Sequence, residues 1–159
     1  MITPDLYRQI MGNWGTGVTI VTTRAGDGTP YGLTVSSFTS VSLDPVLVLV
    51  CLDNRLSGLP AFKESMRFGI SILAQGQEDL SRSFAKKDSA RPAEIYFEGK
   101  TGVPLLRNSL ATLECETTAI YPGGDHLIFV GQVQEGELLE AKTGQKPLLY
   151  FRGKYERIP

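Results

Sequence analysis

The run Val46-Leu47-Val48-Leu49-Val50-Cys51-Leu52 is apolar at every position, the pattern of a strand covered on both faces. A chain carrying it has to build a sheet around it. Just upstream stands Gly32-Leu33-Thr34-Val35-Ser36-Ser37-Phe38-Thr39-Ser40-Val41-Ser42, followed by Leu43-Asp44-Pro45, which reads as two strands joined through a hydroxyl-rich corner. Seven of those eleven residues are Thr, Ser or Gly, so small donors stand beside exposed backbone amides, an arrangement suited to an oxygen-rich ligand such as a phosphate. The same alternation of Ser and Thr with Val and Phe also describes the surface of a half-buried strand. The residues alone leave both readings open.

The rest of the chain repeats the strand-and-turn theme. Thr3-Pro4-Asp5 is a helix start, with Thr3 as cap, Pro4 where a missing N–H costs nothing and Asp5 at the positive helix end; the helix should run to Met11. Gly12, Gly15 and Gly17 end it and lead into a β-branched strand over 18–23. Gly26-Asp27-Gly28 signals a hairpin, after which 30–35 should pair back. Beyond the abruptly polar Asp53-Asn54-Arg55, the spacing predicts a short helix over 56–64, a strand over 68–73 and a helix over 77–84. Residues 85–104 read as a long loop, a length uncommon without a function. Strands follow over 110–121, 126–133, 135–139 and 147–152, the first two joined by Pro122-Gly123-Gly124-Asp125. The succession predicts a mainly β protein, a closed antiparallel barrel with a few short helices.

At 159 residues the chain is the size of one domain, 1–159. Sixteen Lys and Arg against 17 Asp and Glu give a net charge of −1, so no basic field argues for nucleic acid or an anionic membrane. No stretch approaches the roughly 18 apolar residues that span a bilayer, and Met-Ile-Thr-Pro-Asp has neither the basic nor the apolar region of a signal peptide. A cytoplasmic protein is expected. Cys51 and Cys115, each in an apolar or β-like run, read as reduced thiols rather than a disulfide framework.

His126 is the only histidine, which leaves no multi-histidine metal site, and the two cysteines form no C-x-x-C pair. The G-x-S-x-G elbow, the phosphate loop G-x-x-x-x-G-K-[ST] and the dinucleotide fingerprint are all absent. Any nucleotide is therefore held by something other than a Rossmann turn. Arg55, Lys86 and Lys87 adjoin expected loop or helix ends and are placed to meet phosphates, although lone surface cations usually do nothing specific.

Taken in order, Gly17-Val18-Thr19-Ile20-Val21-Thr22-Thr23, the segment from Gly32 to Pro45, Val50-Cys51-Leu52, Phe68-Gly69-Ile70-Ser71-Ile72-Leu73-Ala74, Ser83-Phe84-Ala85, Gly124-Asp125-His126 and Pro147-Leu148-Leu149-Tyr150-Phe151-Arg152-Gly153 resemble the flavin reductase family. The resemblance covers nearly the whole chain and is nearest to the small reductases that supply reduced flavin to monooxygenases. It implies the Greek-key, FMN-binding split-barrel fold, FMN or FAD as flavin, and NADH or NADPH as hydride donor. It also implies a homodimer and a flavin-dependent monooxygenase as partner.

Carried onto this sequence, the resemblance puts the flavin ring edge at Thr34, Val35, Ser36 and Ser37, with Ser40 and Ser42 assisting. Cys51, Leu52, Asp53, Asn54, Arg55, Leu56 and Ser57 would meet the ribityl and phosphate parts, and Ala85 and Lys86 would approach the phosphates. Asp53 to Gly58 departs from the family's usual Ser-x-Thr arrangement, so phosphate contacts there are less secure and FMN versus FAD stays open. His126 would orient the dihydronicotinamide over the flavin, since hydride transfer needs stacking more than proton transfer. Pro147, Leu148, Leu149, Tyr150, Phe151 and Tyr155 would line the same side. The runner-up reading is a flavin-binding or electron-carrier module of the same fold without nicotinamide turnover.

Overall fold

A computed structural model of the chain describes residues 1–87, 91–138 and 145–159. Helix α1 (Pro4–Met11) begins as its sequence dictates: the Thr3 hydroxyl accepts from the Leu6 amide at 3.3 Å and Pro4 opens the first turn. Strands β1 (Thr16–Gly17), β2 (Thr19–Arg24) and β3 (Pro30–Val35) follow, β2 and β3 pairing with Val21 opposite Leu33. Strands β4 (Thr39–Leu43) and β5 (Val46–Asp53) form a second antiparallel pair. Then come α2 (Leu59–Ser65), β6 (Arg67–Ile72), α3 (Glu78–Ala85), β7 (Tyr96–Glu98) and β8 (Pro104–Leu106). The chain finishes with β9 (Ala111–Gly123), β10 (His126–Leu138), β11 (Leu149–Phe151) and β12 (Lys154–Glu156).

Seven strands make one antiparallel sheet in the order β3-β2-β6-β9-β10-β5-β4, while β1-β11-β12 and β7-β8 form smaller sheets. The expectation of a mainly β protein with a few short helices holds. The expected closure does not: the main ladder ends at β3 on one side and β4 on the other, so the sheets do not close into a barrel. The reason lies in the corner after Val35. Ser36, Ser37 and Phe38 belong to no strand, and the ladder is interrupted there. One side chain spans the gap, the Ser37 hydroxyl lying 3.1 Å from both the amide nitrogen and the carbonyl oxygen of Cys51.

Inside the curl of this sheet sit Val21, Val50, Leu52, Phe62, Phe68 and Phe129, each at most 1% exposed and each worth about 1.5–3 kcal/mol of burial. A second cluster, including Val18, Ile20, Leu73, Phe84 and Leu148, lies on the other face of β2. β2 is thus buried on both faces. β5 is not, contrary to the uninterrupted apolar run from Val46 to Leu52: Val48, Val50 and Leu52 are buried, whereas Leu47, Leu49 and Cys51 on the opposite face are half-buried and Val46 at the strand's start is exposed.

The stretch 85–104 is more than a loop. A turn of 3₁₀ helix at Ala93–Ile95 leads into β7, which pairs with β8; residues 88–90 lie outside the described residues. β10 absorbs the two strands expected over 126–133 and 135–139, with irregular pairing between Val130 and Gly131 and between Val133 and Glu135. Leu139 lies outside the described residues. Among the described residues no helix is long and apolar enough to cross a membrane.

Candidate active site

A cleft of about 940 Å³ runs along β3. Because β3 is hydrogen-bonded only to β2 among the described residues, the backbone groups of its outer edge have no strand partner there and border this space. Two glycines let aromatic rings form the walls. A Cβ on Gly32 would come within 2.7 Å of a Phe84 ring carbon, and one on Gly58 within 2.1 Å of the Tyr31 ring, far inside the usual contact distance. Tyr31 is further tied to the far wall by a 3.3 Å hydrogen bond between its phenol and the Ser57 hydroxyl.

Of the residues expected to meet the flavin, Thr34, Asp53, Arg55, Leu56, Ser57, Ala85 and Lys86 line this one cleft, although they come from three separate parts of the chain. The Thr34 hydroxyl donates to the Ser81 carbonyl at 2.6 Å, which fixes β3 against α3 and leaves the hydroxyl oxygen able to accept. Ser36, Ser37, Ser40 and Asn54 are exposed and Cys51 is half-buried, none of them in the cleft lining. The Val35 and Leu52 side chains are in the core, so only their backbone could serve a ligand.

Electrostatics divide the cations of the cleft into two kinds. Arg55 folds back on Asp53, donating from Nε at 3.1 Å and Nη2 at 2.7 Å, and its amide donates to the same carboxylate at 2.8 Å. Hydrogen bonds and charge from Arg55 hold the Asp53 carboxyl well below the usual carboxylate range. That pair presents little net charge. At the other end Lys86 and Lys87 are exposed, and Arg91 lies with its guanidinium carbon 4.1 Å from the centre of the Phe84 ring. The Arg91 Nε is buried with no hydrogen-bond partner among the described residues. Burial raises the pKa of the neighbouring Tyr96 phenol.

His126 opens β10 opposite Asp53 of β5, so it stands next to the Asp53 end of the cleft. Its Nδ1 is 2.7 Å from Asp125 Oδ1, and this hydrogen bond holds the Asp125 carboxyl below its ordinary range. With Asp125 ionised, Nδ1 carries the proton and Nε2 is left to face outward partners. The Asn54 amide donates to the Asp125 carbonyl at 3.0 Å, which ties the histidine turn to the end of β5.

The remaining expected residues gather elsewhere. Leu149, Tyr150 and Phe151 line a separate depression of about 560 Å³ with Gly15 and Thr16. Leu148 is buried, donating its amide to the Leu73 carbonyl at 3.0 Å, and Pro147 bridges to Ala74. Tyr155 shares a 2.7 Å hydrogen bond with Ser81 on α3. Within one chain the expected nicotinamide residues therefore do not form a single surface with His126. Tyr31, Phe84, Arg91 and Tyr96 line the cleft without having been assigned there from sequence. A signal existed for one of them: Gly32 in the middle of a strand marks a close approach, here by Phe84.

An unpaired sheet edge, aromatic walls and a cationic far end suit a flat ring with a polar rim and an anionic tail. No group of three or more His, Cys, Asp or Glu able to hold a metal ion occurs among the described residues. Residues 11–159 match the family model of the flavin reductase like domain. An NADH-dependent flavin reductase of Rhodococcus sp is 38% identical over 159 residues, covering 99% of this chain and 88% of that protein. The reductase component of a 4-nitrophenol 4-monooxygenase/4-nitrocatechol 2-monooxygenase of Rhodococcus opacus is 38% identical over 149 residues, 94% of this chain and 78% of that one. The solved structure of the Streptomyces globisporus NADH:FAD oxidoreductase SgcE6, in complex with NAD and FAD fragments, superposes with a TM-score of 0.90 at 32% identity, covering 100% of this chain and 96% of that one.

Proposed function

The chain belongs to the flavin reductase like domain family, and from that premise we infer that it is an NAD(P)H:flavin oxidoreductase whose reduced flavin serves a flavin-dependent monooxygenase. The observation that carries the reading is the cleft between the open edge of β3 and the cationic end of α3. Its parts fit a flavin: backbone groups without a strand partner among the described residues for the polar ring edge, Phe84 and Tyr31 as walls, and an Arg91 donor unmet among the described residues, beside Lys86, for the phosphate. Bound there, flavin supplies a two-electron acceptor for the nicotinamide hydride.

The chain's own residues bind and orient. Backbone donors along β3 and at its corner with Ser36 and Ser37 stabilise negative charge on the ring edge, a contribution that grows as electrons arrive. Asp125 holds the His126 ring in one tautomer, and His126 sets the nicotinamide against the flavin at the Asp53 end of the cleft. The C-terminal residues Leu149 to Phe151 form the nicotinamide side in a homodimer, where a second copy brings them to the cleft. The outward face of β4 and β5 supports that assembly, since Leu43 is 89% exposed and Val46 45%. Curled as it is, the sheet works as a split barrel in one functional unit of 159 residues, in the cytoplasm where reduced nicotinamide is found.

The test is a rate matrix of NADH and NADPH against FMN, FAD and riboflavin, followed by nicotinamide absorbance. Flavin-dependent oxidation above the uncatalysed rate is expected. Its absence with every pair sinks the reading, and tight flavin retention without turnover favours the electron-carrier alternative. Sedimentation of the purified protein decides the dimer.

A further inference from the structure

Resting on the flavin and nicotinamide reading above, we propose that Ser81 is a positioning residue for the nicotinamide side: it holds the wall built by Tyr150 and Tyr155 to the same residue of α3 that holds Thr34 of the cleft. The argument starts from a serine where a helix has little use for one. Ser81 stands inside α3, where alanine serves a helix better because a serine hydroxyl competes for nearby backbone groups. Ser83 shows that local behaviour, its hydroxyl donating to the Leu80 carbonyl at 2.8 Å. Ser81 does something else. It is 0% exposed, and its hydroxyl shares a 2.7 Å hydrogen bond with the Tyr155 phenol, 74 positions further along the chain.

Ser81 thereby touches both sides at once. Its carbonyl accepts from the Thr34 hydroxyl at 2.6 Å, and Thr34 lines the cleft. Its hydroxyl holds Tyr155, which stands opposite Tyr150 in the pairing of β11 with β12, the two rings meeting edge to face with centroids 5.3 Å apart. Tyr150 in turn is a wall of the separate depression beside β1.

The tie matters because the sheet it anchors is small. β11 and β12 have three residues each and pair with the two residues of β1, apart from the main sheet. So few strand residues give little stiffness of their own, and their placement depends on attachments to the rest of the chain. Arg82 also meets Tyr155, its guanidinium carbon 4.7 Å from the ring centre, but a cation over a ring face lets the ring slide. A buried hydrogen bond, directional at the hydroxyl, does not. Hydride transfer falls off steeply when the donor ring is misplaced, so the position of this wall is a rate-determining variable. In the homodimer proposed above the wall serves the second copy's flavin, and the tie runs from one site to the other.

The test is calorimetric titration of NAD+ into the FMN-saturated protein, beside fluorescence titration of FMN alone, for the full-length chain, Ser81→Ala, Tyr155→Phe and the double variant. Both single changes leave the Ser81 carbonyl and Thr34 in place. Loss of one hydrogen bond predicts about a threefold to tenfold rise in the NAD+ Kd of each, with the FMN Kd within about twofold. The double variant should be no worse than either single one, because the two hydroxyls form one bond. The kcat/KM for NADH should fall by a similar factor. Equal weakening of FMN and NAD+ in Ser81→Ala would reduce Ser81 to a support for α3 and overturn the proposal. So would additive losses in the double variant, or an NAD+ Kd and a kcat/KM for NADH that stay unchanged in both single variants. An unmodified protein that binds no flavin, or oxidises no reduced nicotinamide with any flavin, would overturn the proposed function itself, whereas the variant outcomes bear on Ser81 alone.

Discussion

The hydroxyl of Ser37 lies 3.1 Å from the amide nitrogen of Cys51 and 3.1 Å from its carbonyl oxygen, so one side chain accepts from and donates to a single residue of the facing strand. It stands where the main sheet leaves its ladder open, between the exit of β3 and the middle of β5. A hydroxyl here does the work of a missing backbone pair.

Ser37→Ala should therefore loosen the corner. Two exposed hydrogen bonds of this kind predict a loss of about 1 kcal/mol, read as a fall in Tm of about 2–4 °C for a chain of this size. FMN affinity should fall with it, because the corner backbone can then part from β5. Unaltered Tm and flavin affinity would show that the corner is held by something else.

Gly32→Ala tests the wall built by Phe84. A methyl group there meets the ring at 2.7 Å, and overpacking of this sort costs about 1–3 kcal/mol. Denaturant unfolding should show that loss. Because Phe84 also carries Arg91, flavin titration of the same variant should show weaker FMN binding.

His126→Ala should separate the two ligands. Removing one hydrogen-bonding contact predicts an apparent nicotinamide KM raised by about fivefold to tenfold, with flavin affinity nearly unchanged. Asp125→Asn should move the KM the same way, since the ring loses the partner that fixes its Nδ1 proton. An equal loss of flavin binding in His126→Ala would put that side chain against the flavin instead.

The two thiols should differ in reactivity. Burial, with the Glu114 carboxylate adding to it, pushes the Cys115 thiol up to about 12, and the residue is 2% exposed. Cys51 is half-buried. A thiol reagent at pH 8 should titrate one sulfur in the folded protein and two after unfolding. The raised value also has a stability consequence. Below about pH 8.5, the usual thiol pKa, Cys115 is protonated in both states and imposes no pH dependence. As pH climbs from there toward 12 only the unfolded chain ionises, so stability declines. Cys115→Ala should remove that alkaline component from the unfolding midpoints.

Local signals carried much of the fold. The Thr3-Pro4 start of α1, the hairpin at Gly26 to Gly28 and β3 over 30–35 were all legible, because caps and turn residues act within a few positions. Burial was less legible. The sequence of β5 is apolar from Val46 to Leu52, yet β2, with four threonine and arginine residues among its six, is buried on both faces, where β5 is not. Which strand lies innermost depends on partners far along the chain: Thr22 faces Gly69, and the β2 outer face meets Phe84, Leu106 and Leu148.

The candidate site shows the same division. Thr34, Asp53, Arg55 and Lys86 could be singled out by resemblance, and the structure brings them to one cleft. Arg91 could not, because its significance comes from an aromatic ring seven positions back and from a donor without a partner among the described residues, both visible only in three dimensions. The short pair β7–β8 was hidden as well, its three-residue strands being below the length at which alternation becomes a signal.

The open side of β3 also bears on how the protein behaves in the test tube. A bare sheet edge is a template onto which another chain can add a strand, and natural proteins usually blunt theirs with charge or a cover. Here the cover is whatever fills the cleft. A ligand lying along residues 30–34 shields the same backbone groups that a stray strand would seize, so the filled protein is the better behaved one in concentrated solution. Stripping the cleft exposes a surface prone to self-association, and light scattering with and without FMN is the direct measure of that protection.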